Sequence, residues 1–328
     1  MVTHCLDQID VGLVSRSVQW PTGQVEAALV DLQHGCVSCT LREDVLPTLV
    51  RMAHSPEVAG VVLVLPEAVE PMGFLEAFYS VVVGEAGRTA SEHLDIDSVV
   101  AVVDTTRLIP RLTAGERLEQ VGLAIGPQDD RTLAEVIVEQ VETADVVVAA
   151  PAPETELSVL ALLNPDARYL TTLSAGCGQH FELDRTLDRV NPSRPTALSP
   201  DAVCGGAWGF TWVSDRPFHP ERLHRCLDDL GRSLRGRGSA LLASRPGAVV
   251  EWDSVGSRIA LGANSETEHQ GVTALSFVGV NELGATLRSR LSEATLDDLE
   301  MAEGPHQWQT WPDPFDDLWN PSNETEEA

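Results

Sequence analysis

Continuous apolar runs rich in β-branched residues recur along the first half of the chain. Three of them are GVVLVL (60–65), SVVAVVD (98–104) and DVVVAA (145–150). Because these runs are unbroken rather than alternating, they predict strands covered on both faces, as in a parallel sheet flanked by helices. The stretch LAEVIVEQVETA (133–144) has apolar residues at helical spacing and predicts a helix packed on that sheet. The first half is therefore predicted to be an open α/β domain.

The second half begins after a proline-rich stretch without periodicity, VNPSRPTALSPDAVCGG (190–206), which predicts a linker. Beyond it the pattern predicts short strands and two helices, segregated as in a smaller α+β domain. The predicted strands are 208–215, 240–244, 248–254, 258–263 and 274–280, and the helices are 219–234 and 282–291. The predicted organisation is a domain over 1–190, a linker over 191–206, a second domain over 207–304 and an acidic aromatic tail over 305–328.

Composition narrows the class of partner. The formal charge of −28 disfavours contact with nucleic acid or an anionic membrane and favours a basic protein partner. No apolar run of 18 residues and no signal peptide is present, so we expect a cytoplasmic protein whose six cysteines are thiols or metal ligands. All 22 basic residues are arginine, which excludes any mechanism that needs a lysine from these residues.

The sequence HGCVSC places His34, Cys36 and Cys39 within six residues. A C-x-x-C pair with a nearby histidine offers two sulfurs and one nitrogen to a single zinc, and a fourth ligand could come from Cys177 or His180. The same pair could instead be redox-active thiols, or two buried small side chains in a tight loop. The spacing of these residues does not distinguish between the alternatives.

A helix start is predicted directly after this motif. Thr40 and Glu43 fit a T-x-x-E capping box, which would place Cys39 just outside the helix, where the helix field favours thiolate. Pro47 predicts either a kink or a regular helix that begins near Leu46.

Two further candidate features are a histidine at a helix entrance and a row of aromatic residues near the C-terminus. His219 in PFHPERL is interpreted as a capping or packing residue at a helix entrance. In the aromatic row near the C-terminus, Trp308 and Trp311 are predicted to pack on their own protein, whereas Trp319 is a candidate residue for binding a partner.

The motifs together resemble the CobW family of P-loop GTPases and metallochaperones. HGCVSCT is similar to the family's G-C-x-C-C-T metal motif, with Ser38 at the middle cysteine, and SVVAVVDTTRLI resembles a later strand that ends at Asp104. RPFHPERL and RGRGSALLASRP resemble the C-terminal domain of the family. The resemblance implies a P-loop-like α/β domain followed by a CobW C-terminal domain, and a protein linked to zinc.

The nucleotide motifs of that family are not found. No G-x-x-x-x-G-K-[ST] occurs, PAPE follows DVVVAA in place of N-K-x-D, and Val64 and Glu67 replace the E-x-x-G pair. We therefore expect a degenerate member of the family that does not hydrolyse GTP and that has zinc rather than GTP as its cofactor. The P-loop of the family would stand upstream of Met1.

These departures make the chain most similar to an actinobacterial branch identified as ribosome hibernation factor-recruiting. HGCVSCT, RPFHP and the ending LEMAEGPHQWQTWPDPFDDLW (299–319) carry this similarity. It implies a scaffold that recruits a basic ribosome hibernation factor when zinc is limiting. A GTP-binding metallochaperone is the first alternative function, and a thiol-redox protein is the second alternative.

Overall fold

The computed structural model describes residues 1–84, 87–126, 128–151, 153–172, 181–199, 202–264, 271–280 and 282–319. The chain divides into two compact units. The first contains residues 1–100 and 116–145, and the second contains 101–115 with the described parts of 146–174 and 182–328. The domain boundaries expected at 190 and 304 stay predictions.

The first unit holds a mixed sheet. Its strands are β1 (Val2–Gln8), β2 (Leu13–Gln19), β3 (Val25–Asp31) and β4 (Leu63–Val64), in the order β3-β2-β1-β4. The first three strands form an antiparallel meander, and β4 runs parallel to β1. Val2, Val14 and Val18 are buried on one face of the meander, whereas β3 alternates between exposed and half-buried positions. This is the alternation typical of an antiparallel sheet with one solvated face.

Helices cover the buried face of this sheet. They are α1 (Val37–Thr40), a π-helical turn (Leu41–Val45), α2 (Leu46–Ala53) and α3 (Pro71–Ser80). Farther along the chain, α5 (Leu133–Thr143) packs against α3. The π-helical turn and α2 pack on β1 and β2 through an apolar cluster that comprises Val2, Val18, Leu41, Val45, Leu49 and Met52. A short hairpin, β5 (Val82–Val83) with β6 (Arg88–Thr89), follows α3.

A second, three-stranded sheet contains β7 (Val100–Val103), β8 (Val146–Ala149) and β9 (Arg168–Leu170) in that order. Strands β8 and β9 are parallel. Their neighbouring helices are α4 (Leu108–Thr113), α6 (Glu154–Leu163) and α7 (Leu183–Val190). All four residues of β8 are buried, as its continuous apolar run predicts.

The larger sheet of the second unit is antiparallel throughout. Its order is β10-β11-β15-β12-β13-β14. The strands are β10 (Ala202–Cys204), β11 (Ala207–Ser214), β12 (Arg235–Leu241), β13 (Val249–Val255), β14 (Arg258–Asn264) and β15 (Thr273–Val280). Helices α8 (Pro220–Leu230) and α9 (Leu283–Ala294) pack on it around Phe210, Phe218, Trp252 and Phe277.

The segment predicted as a linker lies along this sheet. Arg237, which is 2% exposed, donates to the carbonyl oxygens of Arg194 (2.8 Å) and Asn191 (2.6 Å). The N–H of Gly238 donates to the carbonyl oxygen of Pro192 at 2.8 Å. The first half of the predicted linker is therefore anchored by hydrogen bonds.

The segment predicted as a tail is folded as far as it is described. It follows α10 (Asp298–Glu303) and contains α11 (Pro305–Trp308) and α12 (Asp316–Trp319). Trp308 is buried in a cluster that includes Trp311, and its Nε1 donates to the carbonyl oxygen of Glu300 at 2.7 Å. The expectation that the first two tryptophans pack on their own protein is confirmed.

The predicted elements are largely confirmed, with three errors. The runs at 98–104 and 145–150 form β7 and β8, the helix at 133–144 is α5, and the mixed α/β class with an α+β second half is confirmed. The run at 60–65 is wrong as a full strand of the same sheet, because only Leu63–Val64 is paired and its partner is β1. The run at 98–104 is a strand but is not covered on both faces, because Val102 of β7 is 74% exposed. The strand expected at 240–244 is wrong in its bounds, because β12 ends at Leu241. No helix among the described residues is long and apolar enough to cross a membrane.

Candidate metal centre

The cysteine motif is held in a tight loop between β3 and α1. A Cβ added at Gly35 would lie 1.8 Å from the carbonyl oxygen of Ile9 and 3.2 Å from the amide nitrogen of Gly12. The N–H of Leu32 donates to the carbonyl oxygen of Gly12 at 2.8 Å, which fixes the approach to the loop. Only glycine fits at position 35, because the two backbone segments touch there.

Cys36 and Cys39 are brought together by the first turn of α1. Cys36 is the N-cap residue, and its Sγ accepts a hydrogen bond from the N–H of Cys39 at 3.3 Å. The Cys39 thiol is also within hydrogen-bonding reach of Cys36. Both cysteines are half-buried, so the pair remains accessible from solvent.

The predicted capping box is wrong. The helix begins at Val37, so Thr40 lies inside the helix and donates through Oγ1 to the carbonyl oxygen of Cys36 at 3.0 Å. Glu43 instead accepts from the N–H of Gln33 at 3.1 Å. The sulfur of Cys36 performs the capping that the sequence pattern assigned to Thr40.

The expected stabilisation of the Cys39 thiolate is wrong as well. The hydrogen bond with Cys36 raises the pKa of Cys39, and burial and the nearby Glu43 carboxylate raise it further. The physical reason is position, since Cys39 lies within the helix and faces a second sulfur and a carboxylate. In this state Cys39 is a thiol, and a metal would have to displace its proton.

Glu43 is a possible ligand that sequence reasoning did not select. Its carboxylate is within hydrogen-bonding reach of the Cys39 thiol. The signal available in the sequence was the spacing of four between Cys39 and Glu43, which places both side chains on one face of a helix.

The other predicted ligands are not assembled with this pair. His34 is exposed, and only its carbonyl oxygen contacts the motif, where it accepts from the N–H of Cys36 at 2.9 Å. Cys177 and His180 lie outside the described residues. Within the ranges that the structure describes, no group of three or more His, Cys, Asp or Glu side chains is arranged to hold a metal.

The helix that carries the cysteines is fixed to the sheet by buried polar contacts. Asp44 in the π-helical turn accepts from Arg16 and lies 2.7 Å from Nε2 of His4. Arg16 also donates to Oγ1 of Thr48 at 2.8 Å. Pro47 lies in the first turn of α2, so the alternative in which the regular helix begins near Leu46 is confirmed.

An open cleft of about 380 Å³ lies beside the cysteine loop. It is lined by Gly35, Val37, Ile125, Gly126, Gln128, Asp129 and Arg131. Arg131 bridges Asp129 (2.8 Å) and Glu70 (2.9 Å), and its hydrogen bond lowers the pKa of Asp129 to about 2. The wall opposite the cysteine loop is thus ordered by an ion-pair network.

The two remaining candidate residues are His219, whose surroundings the structure describes, and Trp319, whose side chain it does not describe. His219 stacks on Trp311 with the ring centroids 4.8 Å apart, and burial lowers its pKa, in agreement with a packing role. Trp319 ends α12, but its side chain lies outside the described residues.

The donor set is chemically suited to zinc. Two thiols and a carboxylate are ligand types that Zn²⁺ accepts, and thiolates favour it over magnesium or calcium. No three such donors of the described residues are arranged around one ion, so beyond the cysteine pair the ligands must come from water or from elsewhere.

Comparison with known proteins agrees with these features. The chain is 24% identical to zinc-regulated GTPase metalloprotein activator 1 of Dictyostelium discoideum, over 89% of this chain and 71% of that protein. It is 29% identical to a zinc chaperone of Mycobacterium tuberculosis, over 88% of this chain and 79% of that protein.

One solved structure, the Zn(II)-bound YjiA GTPase from E. coli, covers 85% of this chain and 82% of its own, with 14% identity and a TM-score of 0.37. This similarity is too low to carry an argument. The nucleotide-binding domain of the CobW/HypB/UreG family matches residues 8–152, and the cobalamin synthesis protein CobW C-terminal domain matches residues 207–295. The two matches together span more than half of the chain, which therefore belongs to the CobW family.

Proposed function

We propose that this protein binds zinc at Cys36 and Cys39 and acts by recruiting a basic partner protein rather than by turning over GTP. The partner implied by the sequence resemblance is a ribosome hibernation factor, recruited when zinc is limiting. The observation that carries the proposal is the pairing of the two cysteines at the start of α1.

Zinc is supported by the donors and by the relatives. The sulfurs of Cys36 and Cys39 are paired at the start of α1, and the carboxylate of Glu43 lies within hydrogen-bonding reach of Cys39. Two relatives carry zinc in their names, as a zinc-regulated activator and as a zinc chaperone. When bound there, zinc would convert the thiols to thiolates and tie the loop to the helix.

Absence of GTP turnover is supported by the residues that are present. GTPases of the P-loop class use a lysine to hold the β- and γ-phosphates, and this sequence contains no lysine. The residues after β8 are PAPE, which offer no asparagine or lysine for reading guanine. These residues therefore do not supply the groups that would neutralise charge developing on a transferred phosphoryl group.

A basic protein partner is supported by charge. The net charge of −28 repels RNA phosphates, so contact with a ribosome would run through a basic protein. From Leu291 to Trp319 the chain has eight acidic residues and one histidine as its only basic side chain. Among these acids, Asp298, Glu300 and Asp313 are paired with arginines from earlier in the chain. Opposite charges raise the rate of encounter with such a partner.

A metallochaperone that binds GTP is the second candidate. It is favoured by the match of residues 8–152 to a nucleotide-binding domain and by the GTPase and chaperone named among the relatives. The two candidates differ in nucleotide use, whereas both require zinc at the cysteine pair.

Phosphate release from GTP with Mg²⁺, measured with and without Zn²⁺, separates the two candidates. The first predicts release no faster than from buffer and retention of a basic hibernation factor by the protein. Steady release that is abolished by a point change such as Asp104→Asn would contradict the first candidate and support the second.

A further inference from the structure

A pair of histidines lies away from the cysteine loop, where α2 ends. His54 is the C-cap residue of α2, and His93 directly follows the short 3-10 helix Ala90–Glu92. Their ring centroids are 5.2 Å apart, and the rings are tilted by 58°. His54 is exposed and His93 is half-buried, so the pair lies at the surface of the first unit.

The tautomer of His54 follows from its hydrogen bond. Its Nδ1 lies 2.7 Å from the carbonyl oxygen of Val50, one turn earlier in α2. A carbonyl oxygen can only accept, so Nδ1 carries the proton and Nε2 presents a lone pair. Metal-binding histidines in proteins commonly donate the other ring N–H to a backbone carbonyl in this way, which fixes the ring and raises its basicity.

The separation of the two rings matches a shared metal ion. Two imidazoles that bind one tetrahedral zinc at about 2.0–2.1 Å have ring centroids about 5 Å apart. The centroids of His54 and His93 are 5.2 Å apart in this structure. Imidazole nitrogen is a ligand for zinc, copper and nickel, and a poor one for magnesium or calcium.

The backbone positions of the two histidines are fixed by packing beneath them. Leu46 of α2 and Ala90 of the 3-10 helix belong to one buried apolar cluster together with Phe78. The N–H of His93 donates to the carbonyl oxygen of Ala90 at 3.0 Å. Since both histidines end elements that share this cluster, their separation is set by the core.

We propose that His54 and His93 form a second metal site, which holds one divalent transition-metal ion with water in the remaining positions. No third His, Cys, Asp or Glu side chain of the described residues completes the site. The site is therefore open and exchangeable, as suits transient loading at a surface. The site uses neither cysteine and does not depend on the proposed function.

Titration of the Cys36→Ser, Cys39→Ser protein with Zn²⁺ tests this site, because the cysteine pair is then unable to bind. We expect the imidazole ¹⁵N signals of His54 and His93 to shift together at the same Zn²⁺ concentration. Either His54→Ala or His93→Ala in that background should weaken this binding about tenfold or more and remove the shift of the remaining ring. The matched control is His306→Ala, which removes an exposed histidine from α11 and should change neither the affinity nor the shifts.

Two results would overturn the proposal. The first is a pair of rings that do not respond to Zn²⁺, which would leave ring packing as their only interaction. The second is unchanged zinc affinity in both alanine variants. Circular dichroism checks that the variants fold, and if the double serine background does not fold, the ring signals are followed in the unmodified protein, where the same joint shift is expected.

Discussion

The backbone N–H of Cys39 donates to the Sγ of Cys36 at 3.3 Å, so one cysteine caps the helix that carries the other. This hydrogen bond holds the Sγ of Cys36 at the start of the helix turn that carries Cys39. A preorganised pair loses less conformational entropy on binding than two cysteines on a flexible loop. The predictions below test the loop, its surroundings and the binding of zinc.

The loop depends on Gly35. Gly35→Ala places a Cβ 1.8 Å from the carbonyl oxygen of Ile9, so the loop must move away from that turn. We expect a loss of about 1–3 kcal/mol in the free energy of unfolding, measured by urea denaturation, together with weaker zinc binding. Gly60→Ala is the control, because a Cβ there meets no atom within 4 Å. Equal stability of the two variants would contradict the tight packing of the loop.

Glu139 makes stability depend on pH. Its Oε1 accepts from the N–H of Met72 at 3.0 Å, whereas Oε2 is buried and has no hydrogen-bond partner among the described residues. Burial, together with the neighbouring acids Glu70 and Glu142, raises the pKa of Glu139 from 4.5 to about 7.

The folded protein therefore holds a proton that the unfolded chain releases, and stability falls as pH rises from 4.5 to about 7. Glu139→Gln removes this ionisation and keeps an acceptor for Met72. Relative to the unmodified protein, the variant should gain about 2 kcal/mol in its free energy of unfolding across that window. Glu76→Gln, an exposed change on α3, should leave the pH dependence as it was. Parallel pH profiles for the unmodified protein and Glu139→Gln would refute the assignment.

Arg237 anchors residues 191–194 to the second sheet. Arg237→Ala leaves the carbonyl oxygens of Asn191 and Arg194 without this donor in a partly buried place. We expect a loss of about 2–4 kcal/mol in the free energy of unfolding and faster hydrogen exchange at Gly238, whose N–H bonds to Pro192. Arg225→Ala, which removes a bond to a carbonyl within an exposed helix turn, should cost little. If exchange at Gly238 is unchanged, the anchor is not Arg237.

The fold could be anticipated where sequence pattern and burial agree. The run at 145–150 predicts β8 correctly because all four of its strand residues are covered. The run at 60–65 misleads, because apolar residues there are partly exposed, Val62 at 61% and Val64 at 44%. An apolar run identifies strand propensity but not the sheet that a strand joins.

The cysteine pair was predictable from spacing, but its electrostatics were not. T-x-x-E at 40–43 fits a helix start capped by Thr40, yet the helix begins four residues earlier because the sulfur of Cys36 caps it. That shift reverses the expected effect on the Cys39 thiol. The proximity of His54 and His93 depends on the packing of two separate elements, so no local pattern reveals it.

Binding of a basic hibernation factor should depend on salt. At a net charge of −28, screening between low and moderate ionic strength should lower the affinity about tenfold or more. Trp319→Ala should weaken the complex by on the order of 2 kcal/mol without unfolding the protein. Isothermal titration at two salt concentrations measures both effects. A salt-independent complex, or direct binding to ribosomes that lack the factor, would remove the electrostatic argument.

The central claim is that Cys36 and Cys39 hold zinc. Elemental analysis of the purified protein beside the Cys36→Ser, Cys39→Ser variant, after equilibration with limiting Zn²⁺, tests it most directly. The Cys226→Ser variant serves as control, since Cys226 is buried against α9 in the second unit. We predict about one tightly held zinc in the unmodified protein and in the control, and little in the double variant. Equal zinc content in all three proteins would contradict the claim.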